Sequence, residues 1–353
     1  MRSKTWRVLA LALVLVAAAC GGGDAETTTP DAEPPDAGGR GGQIVVSGSS
    51  TVEPITARIA EDFGAANSEV AISVDGPGTS DGFVLFCDGE TDISDASRAI
   101  RDEEVETCLA NSVEPIEIKV AIDGLSMLTS VANTAVTCLD FGDLYALLGS
   151  ESTGYDNWSD ANDLAAELQG AGLGASHAPY PDAPLVITAP GEESGTFDSF
   201  IEIVLEDTAD ARAEAAGAKA DPNPRPDYVA SANDNVIIEG ISTNDTSLGW
   251  VGYAFYIENS DVVSALEIDG GEGCVAPTPE AIASGEYPIS RPLFIYVNKA
   301  AAEEKPAVTA FVDFYLTEAG LANVGEAGYV DLTPEENAEW LANWEARNVG
   351  KVA

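Results

Sequence analysis

Three short stretches of this chain place hydroxyl groups where backbone donors should gather. One is Glu192-Glu193-Ser194-Gly195-Thr196-Phe197. Ahead of it, Leu185-Val186-Ile187-Thr188 is an apolar run of the kind buried in a parallel strand. Behind it, Phe197, Phe200, Ile201, Val204 and Leu205 recur at the spacing of one helix face. Ser194, Gly195 and Thr196 are therefore expected on a strand-to-helix turn, where unpaired N–H groups and the positive end of the helix dipole face outward. A glycine lets an anion approach the backbone there, and small hydroxyls add donors. An ordinary Ser or Thr N-cap would account for one such turn. The same order recurs at Ile44-Val45-Val46-Ser47, followed by Gly48-Ser49-Ser50-Thr51 and a helix bearing Ile55, Ile59 and Phe63. It recurs again at residues 70–74, followed by Gly76-Pro77-Gly78-Thr79-Ser80-Asp81-Gly82 and the helical Phe83-Val84-Leu85-Phe86. Capping alone does not explain three such turns. In open α/β sheets, ligands bind beyond the carboxyl ends of the strands, where turns of this kind collect. The chemistry they suit is capture of an oxyanion by neutral donors.

Other chemistries have weaker support. Gly78-Thr79-Ser80-Asp81-Gly82 fits G-x-S-x-G, the nucleophile elbow of α/β-hydrolases, and would make Ser80 a nucleophile. Its base would have to be His177, the only histidine, which stands in a polar, proline-flanked loop and reads as a surface residue. The reading is therefore of a protein that is not an enzyme. No metal or cofactor is expected. Cysteines and histidines do not cluster, and Gly76-x-Gly78 lacks the third glycine of the dinucleotide fingerprint.

Arg2, Lys4 and Arg7 precede the apolar residues 8–16, and Ala17-Ala18-Ala19-Cys20 follows. This pattern marks residues 1–19 as a signal peptide, the apolar run being too short to span a bilayer. Small residues ahead of Cys20 resemble a bacterial lipobox, in which the cysteine is lipidated, although Ala17 is not the motif's usual leucine. Residues 20–42, rich in Gly, Thr, Pro, Asp and Glu, form a tether. The expected location is the outer face of the cell membrane. Without residues 1–19 the charge is about −47, from 60 acids against 13 bases, so nucleic acid and anionic membrane surfaces are poor partners. An anion can bind such a chain only where local dipoles outweigh the global field.

From Ile44 onward strands and helices alternate. Asp92-Ile93-Ser94-Asp95-Ala96-Ser97-Arg98 puts acids and a base beside a short strand, and residues 116–122 read as a longer one. Leu125-Ser126-Met127-Leu128-Thr129 is a natural crossing into a second lobe; residues 140–148 read as a helix, and 149–184, rich in Gly, Ala, Asp and Pro, as a stretch that contains long loops. A second proline-rich loop spans 217–227. Pro292-Leu293-Phe294-Ile295-Tyr296-Val297 returns the chain to the first lobe, before a helix carrying Val308, Phe311, Val312, Tyr315 and Leu316. The expected architecture is α/β, with lobe I at 43–124 and 276–353, lobe II at 125–275, each a mixed sheet flanked by helices, and two crossover strands between them. Cys87, Cys108, Cys138 and Cys274 belong to an exported chain and are expected in disulfides. Of the three possible pairings, Cys87–Cys108 and Cys138–Cys274 keep each bridge within one lobe.

These segments together resemble the substrate-binding lipoprotein of bacterial high-affinity phosphate ABC transporters, from about Ile44 to the C-terminus. The carriers are Gly48-Ser49-Ser50-Thr51-Val52-Glu53-Pro54, residues 76–82, residues 92–98 and Glu193-Ser194-Gly195-Thr196-Phe197. Phe141-Gly142-Asp143-Leu144-Tyr145, Asn157-Trp158, residues 248–253 and Tyr287-Pro288-Ile289-Ser290 add to them. The resemblance implies a two-lobed periplasmic-binding-protein-like fold (type II), inorganic phosphate as ligand, and delivery to ABC permease subunits. It implies donors at Ser50, Thr51, Thr79, Ser80, Ser194, Gly195 and Thr196, with Asp95 accepting the phosphate proton. Family members often carry an arginine four residues before the serine of the third turn, where this chain has Pro190. Arg98 is expected to replace it, with Arg225 the alternative. Two other cargoes stay open, another oxyanion and a phosphorylated small molecule, and the same pocket could serve an adhesin or a phosphate sensor.

Overall fold

The computed structural model describes residues 42–192 and 194–352. The expected signal peptide, Cys20 and the tether up to residue 41 lie outside the described residues, as does Glu193. No helix among the described residues is long and apolar enough to cross a membrane.

Among the described residues twelve strands follow in order: β1 (Gly42–Gly48), β2 (Val70–Asp75), β3 (Ile93–Ala96), β4 (Pro115–Ser130), β5 (Cys138–Asp140), β6 (Val186–Ala189), β7 (Val229–Ala230), β8 (Ser247–Gly252), β9 (Val263–Ala265), β10 (Glu267–Asp269), β11 (Cys274–Val275) and β12 (Ser290–Asn298). The main sheet runs β2-β1-β3-β12-β4-β8-β6-β7, with β9 also beside β4, and β11-β10-β5 make a small second sheet. β1 lies parallel to β2 and β3, and β6 parallel to β7 and β8. β4 and β12 run antiparallel to each other and to their outer neighbours β8 and β3, so the sheet is mixed.

β4 joins the two halves. Its first part, to Gly124, pairs with β12, and Leu125 to Leu128 pair with β8. The strand read at 116–122 and the crossing read at 125 are thus one uninterrupted strand. Nearly every residue along it is buried, as suits a strand covered on both faces. Two hydrophobic cores flank it. One gathers Ile44, Ile59, Phe63, Ile118, Ile295 and Phe311, the other Leu139, Leu144, Trp158, Ile187, Phe200 and Trp250. Each such side chain contributes about 1.5–3 kcal/mol when buried.

Between the loops of residues 149–184, Asn162–Ala171 is a helix whose Leu164, Ala165 and Leu168 are buried. One boundary differs from the sequence reading. Ala281, Ile282, Tyr287 and Ile289 pack in the second core, and the Tyr287 hydroxyl donates to the Leu125 carbonyl, 2.9 Å. The chain therefore returns to the first core with β12, not at 276. Cys87–Cys108 and Cys138–Cys274 are both bonded.

Candidate functional site

All three hydroxyl turns stand where the sequence places them, each after a strand and before a helix. The helices are Glu53–Ala66, Thr79–Cys87 and Gly195–Phe200. The third continues through a wider π-helical turn, Ile201–Leu205, into Glu206–Ala216. Packing draws the first two turns together. Ser49 N–H donates to the Asp95 carbonyl at 2.9 Å, and Gly78 N–H to the Gly48 carbonyl at 2.8 Å. A Cβ on Gly82 would fall 2.4 Å from Gly48 Cα, so only glycine lets the second helix sit this close to β1. The third turn closes on the first in the same way. A Cβ on Gly195 would lie 3.2 Å from the Ser50 carbonyl oxygen and 3.4 Å from Thr51 Cα.

Where the turns meet, the side chains form one polar cluster. Ser50 Oγ donates to Asp198 Oδ2 at 2.6 Å. Thr51 Oγ1 is 3.2 Å from Ser199 Oγ, which donates to Asp123 Oδ2 at 2.7 Å. Thr79 Oγ1 lies 2.9 Å from Ser97 Oγ, which in turn donates to Glu202 Oε2 at 3.3 Å. Ser194 caps its own helix by accepting from Thr196 N–H. At the centre is Arg291, at the start of β12 and cross-strand from Asp123 on β4. Its Nη2 donates to Ser199 Oγ at 2.9 Å and reaches Thr51 Oγ1 at 3.3 Å, while its Nη1 pairs with Glu202.

The cation of this cluster is therefore neither Arg98 nor Arg225. Arg98 is held by Glu104, 2.8 Å away at the start of the helix Asp102–Ala110, and its guanidinium lies over the Phe83 ring. It also donates to Ser80 Oγ, which is exposed; both residues line one cavity with Thr79, Ser97, Glu202 and Arg291. Arg225 is buried against Asp227 and the Tyr155 carbonyl, away from the cluster's residues. The elbow reading loses its base as well: Ser80 meets a guanidinium, while His177 bonds Asp143 at 2.8 Å.

Residues 31–319 match the PBP superfamily domain. The chain belongs to that superfamily. Over 311 residues this PBP chain is 36% identical to Protein SphX of Synechocystis sp., covering 88% of this chain and 81% of that one. It is 31% identical over 290 residues to the phosphate-binding protein PstS of Staphylococcus aureus, covering 82% and 78%. Its fold matches the crystal structure of a possible phosphate binding protein from Planctomyces limnophilus with a TM-score of 0.74 at 34% identity, over 87% of this chain and 99% of that one. The mixed α/β architecture is the one that the resemblance implied.

Two buried carboxyls stand beside the turns, Asp95 on β3 next to Gly48 and Asp123 next to Arg291. Asp95 is fully buried; Thr56 donates to its Oδ1 at 3.0 Å, and its Oδ2 has no hydrogen-bond partner among the described residues. Burial pushes its pKa up to about 8, and the Thr56 hydrogen bond offsets only part of that. Burial also raises the pKa of Asp123, against the pull of Arg291 beside it. Arg291, Ser199, Asp123, Asp198 and Glu202 were not singled out from sequence. The quoted stretch Tyr287-Pro288-Ile289-Ser290 stops one residue short of Arg291, which stands just before the apolar run of a crossover strand. That placement was the signal available.

Proposed function

We propose that this protein captures inorganic phosphate where the three turns meet and, as an exported lipoprotein, passes it to an ABC permease. The observation that carries the reading is the meeting of the three turns in one polar cluster: Thr51 and Ser199 accept from Arg291, Ser50 donates to Asp198, Thr79 bonds Ser97, and Gly195 packs against Ser50. The phosphate-binding relatives support the choice of anion, and the signal-like N-terminus supports export.

Monohydrogen phosphate has oxygens that accept hydrogen bonds and one that carries a proton. Hydroxyls and N–H groups satisfy the acceptors, at about 1.5–3 kcal/mol for each bond to a charged ligand. Arg291 supplies the positive charge expected at Pro190 in the family pattern. Ser50 turns from Asp198 to the ligand. Asp95 accepts the phosphate proton with the Oδ2 that lacks a protein partner. Sulfate has no proton to offer, and above about pH 8, where Asp95 is ionised, its oxygen would face that carboxylate directly.

The test is calorimetric titration of the domain from residue 43, unfolded and refolded first to strip any bound anion. One-to-one phosphate binding at about pH 9, with sulfate silent at the same concentrations, is the expected result. Silence for both anions would overturn the reading.

A further inference from the structure

His177, the only histidine of the chain, sits half-buried between two groups that the phosphate reading does not use. On one side its Nδ1 lies 2.8 Å from Oδ2 of Asp143, a fully buried carboxyl. That carboxyl also accepts from the Asp140 N–H at 2.8 Å and the Tyr180 hydroxyl at 2.6 Å. An acceptor at Nδ1 places the ring proton there and leaves the lone pair on Nε2. On the other side Nε2 lies 3.6 Å from Cys274 Sγ, and the two sulfurs of Cys138 and Cys274 stand with a ring nitrogen within 4.8 Å of one another. The Cys138–Cys274 bridge is thus asymmetric. Cys138 on β5 is buried, whereas Cys274 at the start of β11 is exposed and has beside it a base held by a buried carboxylate. The Cys87–Cys108 bridge has neither feature: both its residues are buried, and the one histidine is engaged elsewhere.

We propose that Cys138–Cys274 is an exchange site for small thiols, with His177 as its acid–base residue. A thiol that reaches exposed Cys274 gives its proton to His177 Nε2. The thiolate so formed bonds to Cys274 Sγ, the S–S bond breaks, and its electron pair passes to Cys138. The imidazolium then returns the proton, so Cys138 leaves as the neutral thiol, the form that a buried site favours. The products are a mixed disulfide at Cys274 and a free thiol at Cys138. A second thiol attacks the outer sulfur of the mixed disulfide, releases Cys274 as a thiol and departs as an oxidised disulfide, so that two thiols have passed two electrons to the protein. Asp143, facing Nδ1, stabilises the imidazolium between the two proton transfers. Charge narrows the class of thiol. Asp140 and Asp143 face the ring, Asp269 lies cross-strand from Cys274, and Glu272 stands two residues before it. A neutral or cationic thiol is therefore favoured over an anionic one.

The native protein is treated at pH 7 with dithiothreitol, a neutral dithiol, then alkylated at intervals, and the labelled cysteines are read by peptide mass mapping. Cys138 and Cys274 should be labelled about tenfold or more faster than Cys87 and Cys108. A wild-type protein whose two bridges open at the same rate overturns the proposal without any variant. Exposure alone would give the expected order, so His177→Gln is the deciding variant, with circular dichroism to establish folding. Its amide can still donate to Asp143 but cannot take up a proton. Labelling of Cys138 and Cys274 should slow about tenfold or more at pH 7. Most of that loss should be recovered at pH 9.5, above the ordinary thiol pKa of about 8.5, where the incoming thiol is already ionised. Equal rates in wild type and His177→Gln at pH 7 overturn the proposal. A deficit that stays undiminished at pH 9.5 overturns it too, since altered packing rather than lost proton transfer would produce it.

Discussion

Asp95 and Arg291 make opposite demands on the same ligand, and each demand can be measured alone. A carboxyl raised to about 8 is largely protonated at pH 6 and largely ionised at pH 9. Protonated, Asp95 is a donor and tolerates a sulfate oxygen; ionised, it is an acceptor and excludes one. Discrimination against sulfate should therefore grow as pH rises from 6 to 9. Asp95→Asn, a donor at every pH, should flatten that rise; competition titrations across the range would refute the acceptor role if the variant kept the wild-type slope. The same shift bears on stability. The folded pKa lies above the unfolded value of about 3.9, so the folded state binds the extra proton between these values. This group's contribution to stability is therefore full below about pH 4 and is lost as pH rises through about 8. Arg291→Lys retains the charge but loses the fork that reaches Glu202 on one side and Thr51 and Ser199 on the other. With hydrogen bonds to charged groups contributing about 1.5–3 kcal/mol, phosphate should bind about 10- to 100-fold more weakly. Arg98→Lys should leave phosphate affinity within about twofold, as its guanidinium is committed to Glu104.

Close contact between elements is what turns three separate turns into one site. Gly82→Ala would place a methyl 2.4 Å from Gly48 Cα, backbone on both sides, so the helix Thr79–Cys87 must shift away from β1. The expected cost is about 1–3 kcal/mol net of any gain in helix propensity. Gly170→Ala, at an exposed position of the helix Asn162–Ala171 with nothing within 4 Å of the new methyl, should instead stabilise by about 0.4–1 kcal/mol. Urea denaturation of the two variants separates close packing from propensity; equal effects would refute the packing argument. These elements also show what the sequence could and could not reveal. Each strand, hydroxyl turn and helix is a local pattern of some twenty residues, legible from apolar period and turn chemistry. The pairing of Arg291 with Asp123 is not local, because it depends on the register of β12 against β4, far apart in the chain. Arg98 was expected to replace the family arginine missing at Pro190, and it follows Asp95 by three residues. The strand ends between them, and Glu104 of the next helix captures the guanidinium. Asp198, Ser199 and Glu202 lie on a helix face already visible from its apolar side, but their partners come from the other core. Nearness along the chain was a poor guide to nearness in the cleft.

At the scale of the whole molecule the difficulty is charge. The full chain carries a formal −44, yet the cleft collects Arg98, Arg101 and Arg291 along one cavity wall or another, facing Asp81, Glu202 and Glu206. Opposite charges nearly balance there, so the mouth offers no strong attraction to offset the long-range repulsion of a phosphate dianion. Repulsion and capture act over different distances. The approach is governed by the summed field, which extends about 30 Å at 0.01 M salt and about 8 Å at 0.15 M. Release is governed by hydrogen bonds inside the cleft, where salt penetrates little. Added sodium chloride should therefore speed phosphate association while hardly altering dissociation, so that affinity improves as ionic strength rises over this range. Stopped-flow measurement of both rates decides the matter. An association rate that falls with salt would mean that the arginines of the mouth, not the acidic surface, set the field an incoming anion meets.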